Sequence, residues 1–132
     1  MLRVLYIEPD VNDIALLLAA LKESTKHVAL RYECNGLAAL DCLRKQQIDL
    51  VVLSLRDTDL TWQETLHGIH AVRPDLDVLA VTGSGSPTLA RDALRQAAEA
   101  VIPKPVHFTE FIDLAERIEA HARQHGREGG AA

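Results

Sequence analysis

The sequence predicts an α/β domain in three layers, a (βα)5 chain whose doubly wound, parallel five-stranded sheet is covered by helices on both faces. Two observations predict this fold. Five short runs rich in Val, Ile or Leu have the length of strands, and the segments between them repeat apolar residues with the helical period. Strand and helix alternate strictly along the 132 residues, which favours parallel strands joined by right-handed crossovers.

The predicted strands are short apolar segments bounded by polar or turn-forming residues. They are RVLYI (3–7), HVALRY (27–32), DLVVLS (49–54), DVLAVT (77–82) and AVIP (100–103). The third run is short and apolar up to its final serine, which is typical of a strand buried on both faces.

The predicted helices differ in how clear their apolar period is. The first and the last have the clearest pattern, at residues 14, 17, 18 and 21 and at residues 111, 114, 115, 118 and 122. Three weaker patterns fall at Leu37, Leu40 and Leu43, at Leu66 and Ile69, and at Leu89, Ala93 and Ala97. Asp10, with Asp13 three residues later, is predicted to cap the first helix, and Ser86 with Pro87 to begin the fourth.

Composition limits the domain organisation and the classes of partner. An apolar fraction of 48% over 132 residues fits one domain, predicted over 1–122, with 123–132 (RQHGREGGAA) as a flexible tail or linker stub. The net charge of -5 and the scattered Lys and Arg residues argue against nucleic-acid binding. We expect no membrane segment, a cytoplasmic location, and reduced thiols at Cys34 and Cys42.

Polar side chains end four of the predicted strands. Glu8, Ser54, Thr82 and Lys104 each close or follow a different apolar run. Ligands of open α/β sheets bind outside the carboxyl ends of the strands, so we expect these four residues to form the functional site.

Five motifs, taken together and in order, carry a family resemblance over about residues 2–121. They are VLYIEPD, NGLAAL, DLVVLSLRDTDL, VTG and PKP, and with them the sequence resembles the receiver domain of bacterial response regulators, which has the CheY-like (flavodoxin-like) fold. The resemblance implies a site in which acidic residues hold magnesium and an aspartate ending the third strand accepts a phosphoryl group from a histidine kinase. By match, Glu8 and Asp10 are remnants of the acidic pocket, Thr82 and Lys104 are the phosphoryl contacts, Pro105 follows a cis bond, and Val101 stands at the aromatic switch position.

The sequence departs from the family at four important positions. Pro9 replaces the second carboxylate, Ser54 the phosphoacceptor, Trp62 a frequent glycine and Val101 the aromatic residue. We therefore expect no metal or cofactor and at most weak magnesium affinity, because only Glu8 remains as an acidic ligand equivalent. Ser54 is a weak nucleophile without an aligned base, so we expect no enzymatic activity. We also predict a direct or water-bridged ion pair between Glu8 and Lys104, which would make the pocket nearly neutral.

These departures predict a pseudo-receiver that acts by phosphorylation-independent protein binding in two-component (phosphorelay) signalling. The expected partner is a histidine kinase, a phosphotransfer protein or another regulator. A homodimer could form through the face of the fourth helix, fifth strand and fifth helix, which carries Arg91, Arg95, Asp113, Glu116 and Arg117.

Three alternatives stay open at this stage. The first is an active phosphorelay receiver with an unusual acceptor, such as Asp57 or Asp59, and the second is a small α/β hydrolase with Ser54 as nucleophile. The third is that the chain is the receiver part of a longer protein with an output domain after residue 132.

Three smaller features of the sequence each allow two interpretations. His67 and His70 could bind a metal but better fit a solvated helix face. Trp62 could cover the pocket or dock a partner, although core packing is the simpler interpretation. The TGSGSP loop (82–87) could hold a phosphate, although it is more typical of a turn into a capped helix.

Overall fold

A computed structural model describes residues 1–24, 27–83 and 86–130, without the side chains of residues 122, 123 and 125–130. Within these ranges, five strands form one parallel sheet in the order β2-β1-β3-β4-β5. The strands are β1 Leu2–Ile7, β2 Val28–Glu33, β3 Leu50–Ser54, β4 Asp77–Thr82 and β5 Ala100–Pro103. The helices are α1 Val11–Ser24, α2 Gly36–Lys45, α3 Trp62–Val72, α4 Pro87–Arg95 and α5 Phe108–Gly130. The predicted three-layer fold is therefore confirmed.

The central strand β3 is buried along its whole length, because helices cover both faces of the sheet. Its side chains alternate between two apolar cores. Val52 lies in the core formed with α1 and α5, which includes Phe111, and Val51 lies in the core formed with α2, α3 and α4, which includes Leu66. This packing fixes the position of the polar residues that follow each strand.

Two predicted helix starts are confirmed by hydrogen bonds. The Ser86 hydroxyl accepts the Leu89 N–H at 3.3 Å, with Pro87 as the first residue of α4. The Asp10 carboxylate accepts the Asn12 N–H at 2.9 Å at the start of α1. Both interactions satisfy amide groups that a helix leaves unpaired in its first turn.

Two predictions concern the C-terminal part of the chain, and the predicted cis bond before Pro105 is wrong. Helix α5 continues to Gly130, so residues 123–130 have helical backbone where a flexible tail was predicted beyond residue 122. This stretch contains no proline, and its Arg, Gln and Glu residues favour a helix, whereas its three glycines, at 126, 129 and 130, do not. No peptide bond among the described residues is cis, so the bond before Pro105 is trans, the isomer that most X–Pro bonds adopt.

Some predicted features lie outside the described residues. They are residues 84 and 85 of the TGSGSP loop, residues 131 and 132 of the tail, and the side chain of Ala122.

Candidate functional site

The carboxyl ends of four strands bring the predicted site residues to one edge of the sheet. Glu8 follows β1, Ser54 ends β3, Thr82 ends β4, and Lys104 follows β5. The first three are buried, with exposed fractions of 0%, 2% and 6%. The Lys104 N–H donates to the Thr82 carbonyl at 2.8 Å, which holds the lysine beside the end of β4. We call the region formed by these residues and their charged neighbours the strand-end pocket.

The Glu8 carboxylate has neighbours on both of its oxygens. Oε1 accepts the Tyr6 hydroxyl at 3.2 Å and lies 3.5 Å from Lys104 Nζ. Oε2 accepts the Asp10 N–H at 3.1 Å and lies 3.8 Å from an Arg56 guanidinium nitrogen. Each carboxylate oxygen therefore has one hydrogen-bond donor and one cationic side chain beside it. The predicted ion pair between Glu8 and Lys104 is confirmed as a direct contact.

Lys104 contacts a second carboxylate that sequence reasoning did not place in the site. Its Nζ forms an ion pair with Asp13 Oδ2, in the first turn of α1. Burial of the ammonium lowers the pKa of Lys104, but the carboxylates of Asp13 and Glu8 raise it by more, so the pKa lies above its ordinary value. The lysine therefore stays charged and joins α1 to the end of β5.

Asp10 has a different position from the one expected of a pocket acid. Its side chain caps α1, and among the described residues no ion pair links it to a basic group. The pocket acids in the structure are therefore Glu8 and Asp13.

Tyr6 was also missed by sequence reasoning. It is fully buried on β1, two residues before Glu8, so both side chains extend from the same face of the strand. The pKa of Tyr6 lies above its ordinary value. Burial is the largest cause and the negative charge of Glu8 is the next, so the hydroxyl remains a proton donor. The signal available in the sequence was a single phenol beside the aliphatic residues of the strand, Val4, Leu5 and Ile7.

The two aspartates after β3 bind backbone groups of the surrounding loop and helices. Asp57 accepts the Trp62 N–H at 3.0 Å at the start of α3. Asp59 Oδ1 accepts the N–H of Gly36 at 2.9 Å and that of Leu60 at 2.8 Å. Partial desolvation raises the pKa of Asp59, but hydrogen bonds from Thr58 and backbone N–H groups lower it by more, so the pKa lies below the ordinary 3.8.

Comparison with known proteins identifies the family. Residues 4–116 match the sequence profile of the response regulator receiver domain. This chain belongs to the receiver domain family. It is 31% identical over 125 residues to the transcriptional regulatory protein ZraR of Salmonella typhimurium, a match covering 95% of this chain and 28% of that protein. It is 34% identical over 71 residues to the regulatory protein LuxO of Vibrio vulnificus, covering 54% of this chain and 16% of that protein.

Solved structures show the same fold at lower identity. A CheY-like response regulator receiver domain protein from Methanospirillum hungatei superposes with a TM-score of 0.81 at 22% identity, covering 97% of this chain and 98% of that one. A response regulator from Hahella chejuensis gives a TM-score of 0.81 at 22% identity, covering 92% and 94%. The matched part of this chain spans 28% of the length of ZraR. No helix among the described residues is long and apolar enough to cross a membrane.

The other predicted residues of the receiver domain divide into core and surface. Trp62 is 5% exposed and lies in the core with α2, α3 and α4, which confirms the packing interpretation. Val101 is partly buried against the same core. His67 is exposed, whereas His70 Nε2 lies 3.1 Å from the Ala97 carbonyl, and no cluster of three possible metal-binding residues occurs among the described residues. Cys42 is buried and Cys34 is exposed, both with free thiols.

The predicted interaction face is exposed on the receiver domain. The five charged residues all lie on the surface, Arg91 and Arg95 on α4 and Asp113, Glu116 and Arg117 on α5. A groove of about 340 Å³ lies between β5 and α5, and Asp113 and Arg117 are among the residues that line it. The face therefore presents charges of both signs.

Proposed function

We propose that this receiver domain acts in two-component signalling by binding a protein partner, without phosphorylation of an aspartate. The observation that carries the proposal is Ser54 at the end of β3, where the family resemblance implies the phosphoacceptor aspartate. A serine hydroxyl cannot form the acyl phosphate of the family's chemistry, and as a nucleophile it needs a base.

The neighbouring carboxylates support the same proposal. Asp57 and Asp59 are the nearest acidic residues along the chain after Ser54, and both accept backbone N–H groups of the loop and of α2 or α3. Moving either carboxylate to the end of β3 would leave those N–H groups without their acceptors, which costs free energy.

The charges in the strand-end pocket also disfavour magnesium. Magnesium requires near-octahedral oxygen ligands, usually including one or two carboxylates. Here both pocket carboxylates, Glu8 and Asp13, are already paired with Lys104. Glu8 also accepts hydrogen bonds from the Tyr6 hydroxyl and the Asp10 N–H. The residues present do not fit the ion, so we propose no step that depends on it.

The proposed output is binding through the face of α4, β5 and α5. Arg91, Arg95, Asp113, Glu116 and Arg117 supply charges of both signs, which suit complementary pairing with a second copy or with a kinase, phosphotransfer protein or regulator. Val101 at the aromatic switch position supports one fixed conformation of this face. Gene regulation, as named for ZraR, would require parts of a longer protein, since this chain spans 28% of that relative.

Labelling with a phosphodonor tests the proposal. The chain is incubated with acetyl phosphate and magnesium, and intact mass is measured beside an active receiver domain treated in the same way. We expect a phosphoryl adduct on the active receiver domain and none on this chain.

Three variants locate the group if an adduct appears. Asp57→Asn, Asp59→Asn and Ser54→Ala each remove one possible acceptor. An adduct on the wild-type chain that disappears in one of these variants would replace the proposal with an active receiver that uses that residue.

A further inference from the structure

The cation between the two pocket carboxylates is an ammonium group of the chain itself. Lys104 Nζ contacts Asp13 Oδ2 and lies 3.5 Å from Glu8 Oε1. The side chains of Lys104 and Asp13 are 19% and 14% exposed, and Glu8 is fully buried. Opposite charges this far from solvent interact strongly, because water screens them little.

The path of the lysine side chain is also fixed by the fold. Its backbone N–H is bonded to the Thr82 carbonyl at 2.8 Å. A Cβ atom at Gly83 would lie 3.5 Å from Lys104 Cδ, so the methylene chain runs alongside the backbone at Gly83. The Lys104 side chain therefore runs from the end of β5, past Gly83, to Asp13 of α1.

We infer that Lys104 is the resident cation of the strand-end pocket, where it takes the place of a divalent ion and ties α1 to the end of β5. The inference deepens the proposed function, since it gives a reason why the pocket works without magnesium. It has two consequences. The wild-type chain does not respond to magnesium, and removal of the ammonium leaves two mostly buried carboxylates that repel each other until another cation binds.

Thermal unfolding of Lys104→Met, measured over a series of magnesium concentrations, tests the inference. Sodium chloride of equal ionic strength corrects for screening. We expect a wild-type Tm that is the same in both salts. The variant should unfold roughly 10 °C lower without magnesium, because one partner of a buried ion pair is gone, and magnesium should restore part of that loss.

Lys45→Met is the matched control for the loss of a lysine. Lys45 pairs with Asp41 on the surface of α2, with side chains 69% and 55% exposed, so we expect a Tm change of at most about 2 °C and no specific effect of magnesium. A wild-type Tm that rises saturably with magnesium, or a Lys104→Met variant as stable as wild type, would overturn the inference.

Two further variants keep the test decisive if Lys104→Met does not fold. Asp13→Asn retains the pair between Lys104 and Glu8 and should fold without a response to magnesium. Asp13→Asn combined with Lys104→Met removes both partners and should be less destabilised than Lys104→Met alone. A loss in the double variant equal to the sum of the losses in the two single variants would show that the two side chains do not interact, and would overturn the inference.

The outcomes separate this inference from the proposed function. A chain that accepts a phosphoryl group but ignores magnesium in the Tm assay would contradict the function and leave the resident cation intact. A wild-type chain that binds magnesium but forms no phosphoryl adduct would contradict the inference about Lys104 and leave the proposed function intact.

Discussion

At the scale of single residues, the Tyr6 hydroxyl helps to stabilise the fully buried Glu8 carboxylate of the strand-end pocket. It donates to Glu8 Oε1 at 3.2 Å, and both residues are 0% exposed. Tyr6→Phe keeps the ring in the core with α1 and α5 and removes this donor. We expect a loss of about 2 kcal/mol in the free energy of unfolding, since hydrogen bonds to charged groups are worth more than neutral ones. Urea denaturation followed by circular dichroism measures it.

Tyr32→Phe is the control for this residue, because the same hydroxyl is lost from a side chain that is 51% exposed. Its free energy of unfolding should change by less than about 0.5 kcal/mol. Equal effects of the two substitutions would show that the Tyr6 hydroxyl does not stabilise Glu8.

At the scale of elements, α4 ends at Arg95, so Ala97 lies beyond the helix in which the apolar pattern had placed it. Ala97 has a φ of 72°, the left-handed region that glycine favours. The Ala98 N–H donates to the Ala93 carbonyl at 3.0 Å and the Ala97 N–H to the Leu94 carbonyl at 3.1 Å, which is the Schellman pattern. Because Ala97 is exposed, Ala97→Gly should relieve backbone strain without opening a cavity.

We expect Ala97→Gly to raise the free energy of unfolding by about 1 kcal/mol, after the greater freedom of glycine in the unfolded chain is subtracted. Ala90→Gly, inside α4, is the matched control and should lower it by about 1 kcal/mol. Urea denaturation of both variants checks the opposite signs, and a loss of stability in both would contradict the reading of Ala97 as strained.

Elements and site differ in how far the sequence predicts them. The strands were predictable because each is a short apolar run that ends at a polar residue, as β3 does at Ser54. The end of α5 was missed because the apolar period stops before the backbone helix does. The ion pair between Lys104 and Glu8 followed from strand ends converging at one edge, whereas the contact with Asp13 depends on how α1 lies against β5, which no local pattern encodes.

At the scale of the whole molecule, the charges divide into an internal set and an exposed set. Inside, Lys104 offsets Glu8 and Asp13. The Arg56 side chain is 51% exposed and reaches Glu8 from the surface, at 3.8 Å. Outside, α4 contributes Arg91 and Arg95 to the predicted face, and α5 contributes acidic residues together with Arg117. If the internal charges hold the domain in one conformation, the exposed charges of α4 and α5 are always available to a partner. The affinity of this surface is then set by charge complementarity and by ionic strength.

Self-association tests this surface at the level of the molecule. In a two-fold dimer the same patch meets itself, so arginines of α4 in one copy can face acidic residues of α5 in the other. We predict a dimer that weakens as salt rises, and a dissociation constant on the order of tenfold higher when Arg91 and Arg95 are both changed to Glu. Sedimentation velocity over a concentration series measures this dissociation constant.

The control is the same double charge reversal at the exposed Arg44 and Lys45 of α2. It should leave the dissociation constant unchanged, because these residues lie on another helix. A wild-type chain that stays monomeric at every concentration would leave this face to a different protein partner.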